Sequence, residues 1–161
     1  MMTREQILQI LKAQIRMSGH CIGVAAGSGM TARCAEQGGA DFILALSAGK
    51  YRQIGLGSFA SFLCYSNSNE IVLDFGTREL LNAVSKAPVL FGLNASDPSI
   101  ELYEYLKKIK SYGFAGINNF PTVSLIEGHF REALEEEAAQ SLITVMEAAG
   151  EAIDKTVTLL F

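Results

Sequence analysis

Four short segments combine residue types and spacing that could do chemistry. Gly27-Ser28-Gly29-Met30-Thr31-Ala32 has the form G-x-G-x-x-A, between an apolar run and a helical pattern. Backbone N–H groups at such a helix start can face a phosphate or carboxylate. A dinucleotide site would want an acid at the end of the next strand, where Ser47 and Ala48 stand. Lys50 and Arg52 could meet a 2′-phosphate there instead. The loop is therefore open to three readings: a dinucleotide site, a site for a smaller anion, or a tight structural turn. Ser47-Ala48-Gly49-Lys50-Tyr51-Arg52 contains Gly-Lys, but the glycine and Ser/Thr of a P-loop are missing from their places. Its Lys50 and Arg52 could hold a phosphate or carboxylate by charge-assisted bonds, or stand in solvent as loop charges. Asn94, Ser96 and Asp97 form the third segment, in which Asp97 could ligate a hard cation or cap the helix that Pro98 would open. Asn118-Asn119-Phe120-Pro121-Thr122 is the fourth; its amides suit substrate hydrogen bonding or ordinary turn chemistry.

Each segment follows a short apolar run, and that placement defines the scaffold. The runs are Cys21–Ala26, Asp41–Leu46, Pro88–Leu93 and Phe114–Asn118. Continuous apolar runs of this length suit strands buried on both faces of a parallel sheet. Helical patterns stand between them. Thr3-Arg4-Glu5-Gln6 is a capping box, followed by Ile7, Leu8, Leu11 and Ile15 at helical spacing and a stop near Gly19. Met30–Gln37 reads as a helix stopped by Gly38-Gly39. Ser47–Ser58 reads as a long glycine-rich loop, of the kind that often binds something. Glu70–Val84 has features of both strand and helix, and Asn67-Ser68-Asn69-Glu70 as a start favours helix. A helix capped by Asp97 should bury Leu102, Leu106 and Ile109 and end at Gly113. Ser124–Glu127 is a second capping box, opening a helix through Glu137 or beyond. Helical pattern continues to about Gly150, and Thr156–Phe161 could be a last strand. The order is a helix and then four β-α units, an α/β chain with parallel strands and right-handed crossovers.

A length of 161 residues, 49% apolar and 19% charged, fits one globular domain. A net charge of −4 gives no reason to expect nucleic acid or an acidic membrane as partner. Lys107, Lys108 and Lys110 read as the solvated face of a helix. Cys21, Cys34 and Cys64 form no metal or redox spacing, so each reads as a small apolar core residue in a reducing compartment. No apolar run could span a bilayer, and the charged N-terminus is no signal peptide, so the cytoplasm is expected. His20 precedes the first strand and His129 lies in a helix; neither has a telling acid and nucleophile nearby.

The segments GVAAGSGMTARCAEQGGADFILALSAGKYR, NEIVLDF, PVLFGLNASDP and GFAGINNFPTVSLIEGHFREALEE resemble the phosphoenolpyruvate hydrolase-like family. The same segments are similar to the C-terminal domain of a plant tobamovirus-resistance protein. The resemblance covers roughly residues 20 to 137; residues 138–161 read as a divergent tail of the same single domain. It implies a TIM-barrel type of fold, similar to the phosphoenolpyruvate mutase and isocitrate lyase group, in which a small phosphorylated or phosphonylated acid binds beside Mg²⁺ at the strands' carboxyl ends. A full barrel takes roughly 250 residues, so about four to five strands of a partial barrel are expected here. Such a chain would be a truncated barrel, would pair with another copy as a homo-oligomer, or would use its tail to cover the opening.

On that resemblance the substrate would lie against Gly27, Ser28, Gly29, Ser47, Gly49, Lys50, Arg52, Asn94, Asn118 and Thr122. Asp97 and Asn119 would serve the chemical step, and Asp97 would hold Mg²⁺. The reaction would be hydrolysis of the phosphoenolpyruvate or phosphonopyruvate type. A non-catalytic binding or interaction module, or an inactive fragment, are the other readings.

Overall fold

Thr3 starts the first helix as its spacing requires: its hydroxyl accepts from the Gln6 N–H while the Gln6 side chain accepts from the Thr3 N–H. Helix α1 (Arg4–Ser18) stops at Gly19, whose φ of 78° is the left-handed end that glycine supplies without strain. The computed structural model describes residues 2–63, 65–121, 127–133 and 158–160. Cys64, Thr122, the Ser124–Glu127 capping box and the helical tail predicted to Gly150 therefore lie wholly or mostly outside the described residues.

The four apolar runs form strands β1 (Gly23–Ala26), β2 (Phe42–Ala45), β3 (Val89–Leu93) and β4 (Gly116–Asn119). All four pair in parallel, in sequence order. Between them lie α2 (Gly29–Gln37), α3 (Ser47–Gln53), α4 (Ser68–Phe75), α5 (Leu81–Ala83) and α6 (Leu102–Tyr112). A π-helical turn, Gly76–Leu80, joins α4 to α5. The expected final strand is β5 (Thr158–Leu160), and it pairs with β4 antiparallel, Gly116 opposite Leu160 and Asn118 opposite Thr158. No helix among the described residues is long and apolar enough to cross a membrane.

Strand alternation sorts the core into two sides. Val24, Ala26, Ile43, Ala45, Val89, Phe91, Leu93 and Ile117 face the helices and pack with Ala32, Val72, Phe75, Leu80, Leu106, Ile109 and Phe114. On the other, open face, α1 lays Ile7 and Leu11 against Leu90, Phe42 and Leu44. At the carboxyl end of that same face, Leu46, Ala48, Phe120 and Phe62 close over Ala25 and Leu44.

Three expectations fail locally. Ser47–Gln53 is a helix rather than a loop, because α3 begins directly at the end of β2 and Gly49 lets its backbone seat on β1. Asp97 and Pro98 do not start the next helix: α6 begins at Leu102 and is capped by Glu101, whose carboxylate accepts from the N–H groups of Tyr103 and Glu104. Cys34 lies exposed on α2 rather than in the core.

Candidate functional site

The register sets Ala26, Ala45, Phe91 and Ile117 side by side. Gly27, Ser47, Asn94 and Asn118 therefore lie at one end of the sheet, as the parallel order predicts. What they do there differs from residue to residue.

Gly27 and Gly49 touch each other. A Cβ on Gly27 would stand 2.0 Å from the Gly49 carbonyl oxygen, and one on Gly49 would stand 2.7 Å from that of Ala26. Both glycines are required by backbone packing, whatever ligand is bound. Ser28 is the N-cap of α2, its hydroxyl accepting from the Thr31 N–H at 3.3 Å. The Gly29 N–H is already engaged: it donates to Glu79 Oε2 at 3.1 Å, while Glu79 Oε1 accepts from Lys50 Nζ at 2.9 Å. The π-turn carries Glu79 to this spot. The Lys50 hydrogen bond holds the Glu79 carboxyl below its ordinary range; burial opposes that, and the Gly29 amide adds to it. An internal carboxylate thus fills the helix start that the sequence offers to an anion. Sequence reasoning misses Glu79, which reads only as a polar position beside Leu80 and Leu81.

Helix α3 divides its side chains by direction. Ser47 is fully buried and its hydroxyl accepts from that of Ser68 at 3.3 Å. Lys50 turns to Glu79. Arg52 turns toward the open face: Nη1 donates to Ser58 Oγ at 2.7 Å and Nη2 to the Ala25 carbonyl at 3.3 Å. That carbonyl belongs to the sheet edge. The Ile22 oxygen accepts from the Asp41 N–H of the strand beside it, so Ile22, Val24 and Ala26 point their peptide groups at β2 while Ala25 points away. The Arg52 guanidinium therefore sits at the carboxyl end of β1 with three of its five N–H groups uncommitted and no carboxylate partner among the described residues.

Asp97 is 8% exposed and is the hub of a polar network. Oδ2 accepts from Asn67 Nδ2 at 2.6 Å and Asn69 Nδ2 at 3.0 Å. Oδ1 accepts from the Ser99 N–H at 2.9 Å and hydroxyl at 2.5 Å. Asn69, 1% exposed, also brackets Asn94 by donating to its carbonyl and accepting from its N–H. Burial alone would push the Asp97 carboxyl up; the donors from Ser99, Asn67 and Asn69 outweigh it and hold the group below the usual aspartate range. Both oxygens are spent on these bonds. No group of three or more His, Cys, Asp or Glu among the described residues could hold a metal ion. These residues do not fit a Mg²⁺ centre built on Asp97.

The two strand-end amides separate by alternation. Asn118 shares the open face with Gly92, its register partner, and is half-buried there. Asn119 follows Ile117 onto the helix face and is buried, away from Arg52. Thr122 lies outside the described residues. His129, expected to be inert, pairs with Glu132 at 3.0 Å on an exposed helical turn.

A model of the phosphoenolpyruvate hydrolase-like family matches residues 6–156. The chain is 43% identical over 133 residues to the ToMV resistance protein Tm-1(GCR237) of Solanum lycopersicum, a match covering 83% of this chain and 18% of that protein. It is also 43% identical over 130 residues to the ToMV susceptible protein tm-1(GCR26) of the same plant, covering 81% of this chain and 17% of the relative. The chain thus spans less than a fifth of the length of these relatives. Among solved structures it is similar to a phosphonopyruvate hydrolase in complex with oxalate and Mg²⁺, with a TM-score of 0.53 at 18% identity over 88% of this chain and 48% of that one. A phosphoenolpyruvate phosphomutase from Streptomyces platensis subsp. rosaceus gives a TM-score of 0.54 at 21% identity, covering 74% of this chain and 42% of its own. Both likenesses are of fold, and the fold is of the TIM-barrel type.

Proposed function

The chain belongs to the phosphoenolpyruvate hydrolase-like family, and from that premise we propose that it binds a small phosphorylated or phosphonylated carboxylic acid at the carboxyl ends of β1 to β4. The observation that carries this reading is the Arg52 guanidinium, held in place by two neutral oxygens and left without an acidic partner among the described residues. A planar cation fixed in this way matches a carboxylate or phosphoryl group through paired N–H donors. Asn118 lies on the open face of the same sheet, at the carboxyl end of β4. Lys50 has a lesser role, because Glu79 already neutralises it. Gly27, Ser28, Gly29, Ser47, Gly49 and Asn94 shape the mouth through its backbone rather than meet the ligand with free groups.

Hydrolysis of phosphoenolpyruvate or phosphonopyruvate is the reaction this family reading suggests. Mg²⁺ enters only through the fold, since the solved phosphonopyruvate hydrolase is a complex with it. A second reading, a non-catalytic binding module, is favoured by Asp97: a carboxylate with both oxygens occupied is a poor base for water. One experiment separates the two. Phosphoenolpyruvate and phosphonopyruvate are titrated calorimetrically and assayed for phosphate release, with and without Mg²⁺. Binding that falls about tenfold or more in Arg52→Ala but little in Lys50→Ala supports the site. Binding without release selects the module. Equal binding by wild type and Arg52→Ala would reject the role of Arg52.

A further inference from the structure

Tyr51 carries the one buried side-chain polar atom among the described residues that has no hydrogen-bond partner, its hydroxyl oxygen. The residue is 6% exposed. A buried donor left unpaired is disfavoured by a margin comparable to a lost hydrogen bond, and such an atom in a native protein calls for an explanation. Tyr51 follows Ser47 by four positions on α3, on the stripe between the buried Ser68 side and the Ala48–Arg52 side that faces the mouth.

Ser58–Phe62, a single 3₁₀ segment, packs against α3 and covers part of it, and just beyond it the Tyr65 ring meets that of Tyr51 at a centroid distance of 6.2 Å. The segment leaves α3 through Gly55, at φ 86°, and Gly57, neither with any heavy atom within 4 Å of where a Cβ would stand. Its neighbourhood shows apolar surface outward: Ile54 is 65% exposed and Phe59 68%. Its Ala60 and Ser61 are buried, and two of its contacts are made to residues of the mouth. Ser58 accepts from Arg52, and the Phe62 ring meets that of Phe120 edge-on at a centroid distance of 5.9 Å.

These facts couple the Arg52 site to the cover. An anion that engages Nη1 of Arg52 competes with the Ser58 oxygen for the same donor. We propose that Tyr51 is a second ligand-binding residue of this site, whose phenol O–H is stored without a partner in the ligand-free protein and donates to an oxygen of the bound acid once Ser58–Phe62 moves. This rests on the reading that a small anion binds at Arg52.

Tyr51→Phe removes only the hydroxyl. The ligand-free variant is expected to melt at or above the wild-type temperature, because it loses an unsatisfied group. Its affinity for phosphoenolpyruvate, measured calorimetrically, is expected to fall roughly three- to tenfold, the worth of one hydrogen bond. In the wild type, saturating phosphoenolpyruvate should change hydrogen exchange in amides 55–62. A ligand-free melt clearly below wild type means that the hydroxyl is already satisfied, and overturns the proposal. Unchanged affinity in Tyr51→Phe, or unchanged exchange over 55–62 in a saturated wild type, overturns it as well. If the wild type fails to bind phosphoenolpyruvate at all, the Arg52 reading falls first and this inference falls with it, a result seen before any Tyr51 variant is made.

Discussion

Asp97→Ala should be among the most destabilising substitutions near the mouth, and the structure says by how much. The change strands four donors: the amides of Asn67 and Asn69 and the N–H and hydroxyl of Ser99. Each buried donor deprived of its acceptor is worth about 1–3 kcal/mol. The four are not equal. A cleft of about 380 Å³ runs alongside, lined by Asn67, Asn69, Ser99 and Tyr105, and water there can replace the acceptor for Asn67 and Ser99. Asn69 is almost entirely buried at the cleft wall, but it keeps the Asn94 carbonyl as an acceptor. The net loss is therefore about 3–4 kcal/mol rather than the full sum, or about 10 °C in melting temperature for a chain of this size. Had Asp97 been only a helix cap, the loss would be about 1 kcal/mol. The pH dependence has a definite sign. The folded carboxyl lies below the unfolded value, so its contribution is complete above the ordinary aspartate range and is lost as pH falls through the lower folded value. Asp97→Asn keeps one acceptor oxygen but turns an amide N–H₂ against two of the donors, so it should lose about half as much and remove that acid limb. Urea unfolding followed by circular dichroism, near neutrality and in acid, reads both. A loss of 1 kcal/mol or less in Asp97→Ala, or an unchanged acid limb in Asp97→Asn, would refute the network as drawn.

Two further outcomes follow from packing and charge. Gly49→Ala places a methyl 2.7 Å from the Ala26 carbonyl oxygen, where neither backbone can yield; it should lose about 1–3 kcal/mol in the same urea assay, while Gly57→Ala, with open space around it, should be near neutral. Glu36 gathers the N–H groups of Ser85, Lys86 and Ala87 on one carboxylate. Burial pushes this carboxyl up, but those amides and the Ser85 hydroxyl together hold it below the ordinary glutamate range. Glu36→Gln should lose about 1–2 kcal/mol near neutrality, less than a sealed group would because the site is part-exposed, and the difference from wild type should vanish as pH falls below the folded value.

The strands were legible because a parallel strand buried on both sides must be apolar throughout, and PVLFGL or DFILAL has few other uses. The capping box at Thr3 was legible because it is local. What was illegible depends on distant partners. Ser47–Gln53 looks like a loop until Gly49 is seen against Ala26, contacts made across more than twenty residues. Asp97-Pro98 has the local chemistry of a helix start, but Asn67 and Asn69 claim the carboxylate from thirty residues away. Lys50 and Arg52 are equivalent in the sequence; only the π-turn that delivers Glu79 to one of them shows which cation is left over.

The antiparallel strand β5 has a consequence for how this sheet could grow. Its backbone groups fill the outer rim of β4, the berth a fifth barrel strand would need with the opposite polarity. Lengthening the parallel array from that rim is therefore an exchange, in which an incoming segment must evict a resident tethered to the same polypeptide. A tether presents its strand at an effective concentration of the order of millimolar, so a dilute competitor starts at a disadvantage.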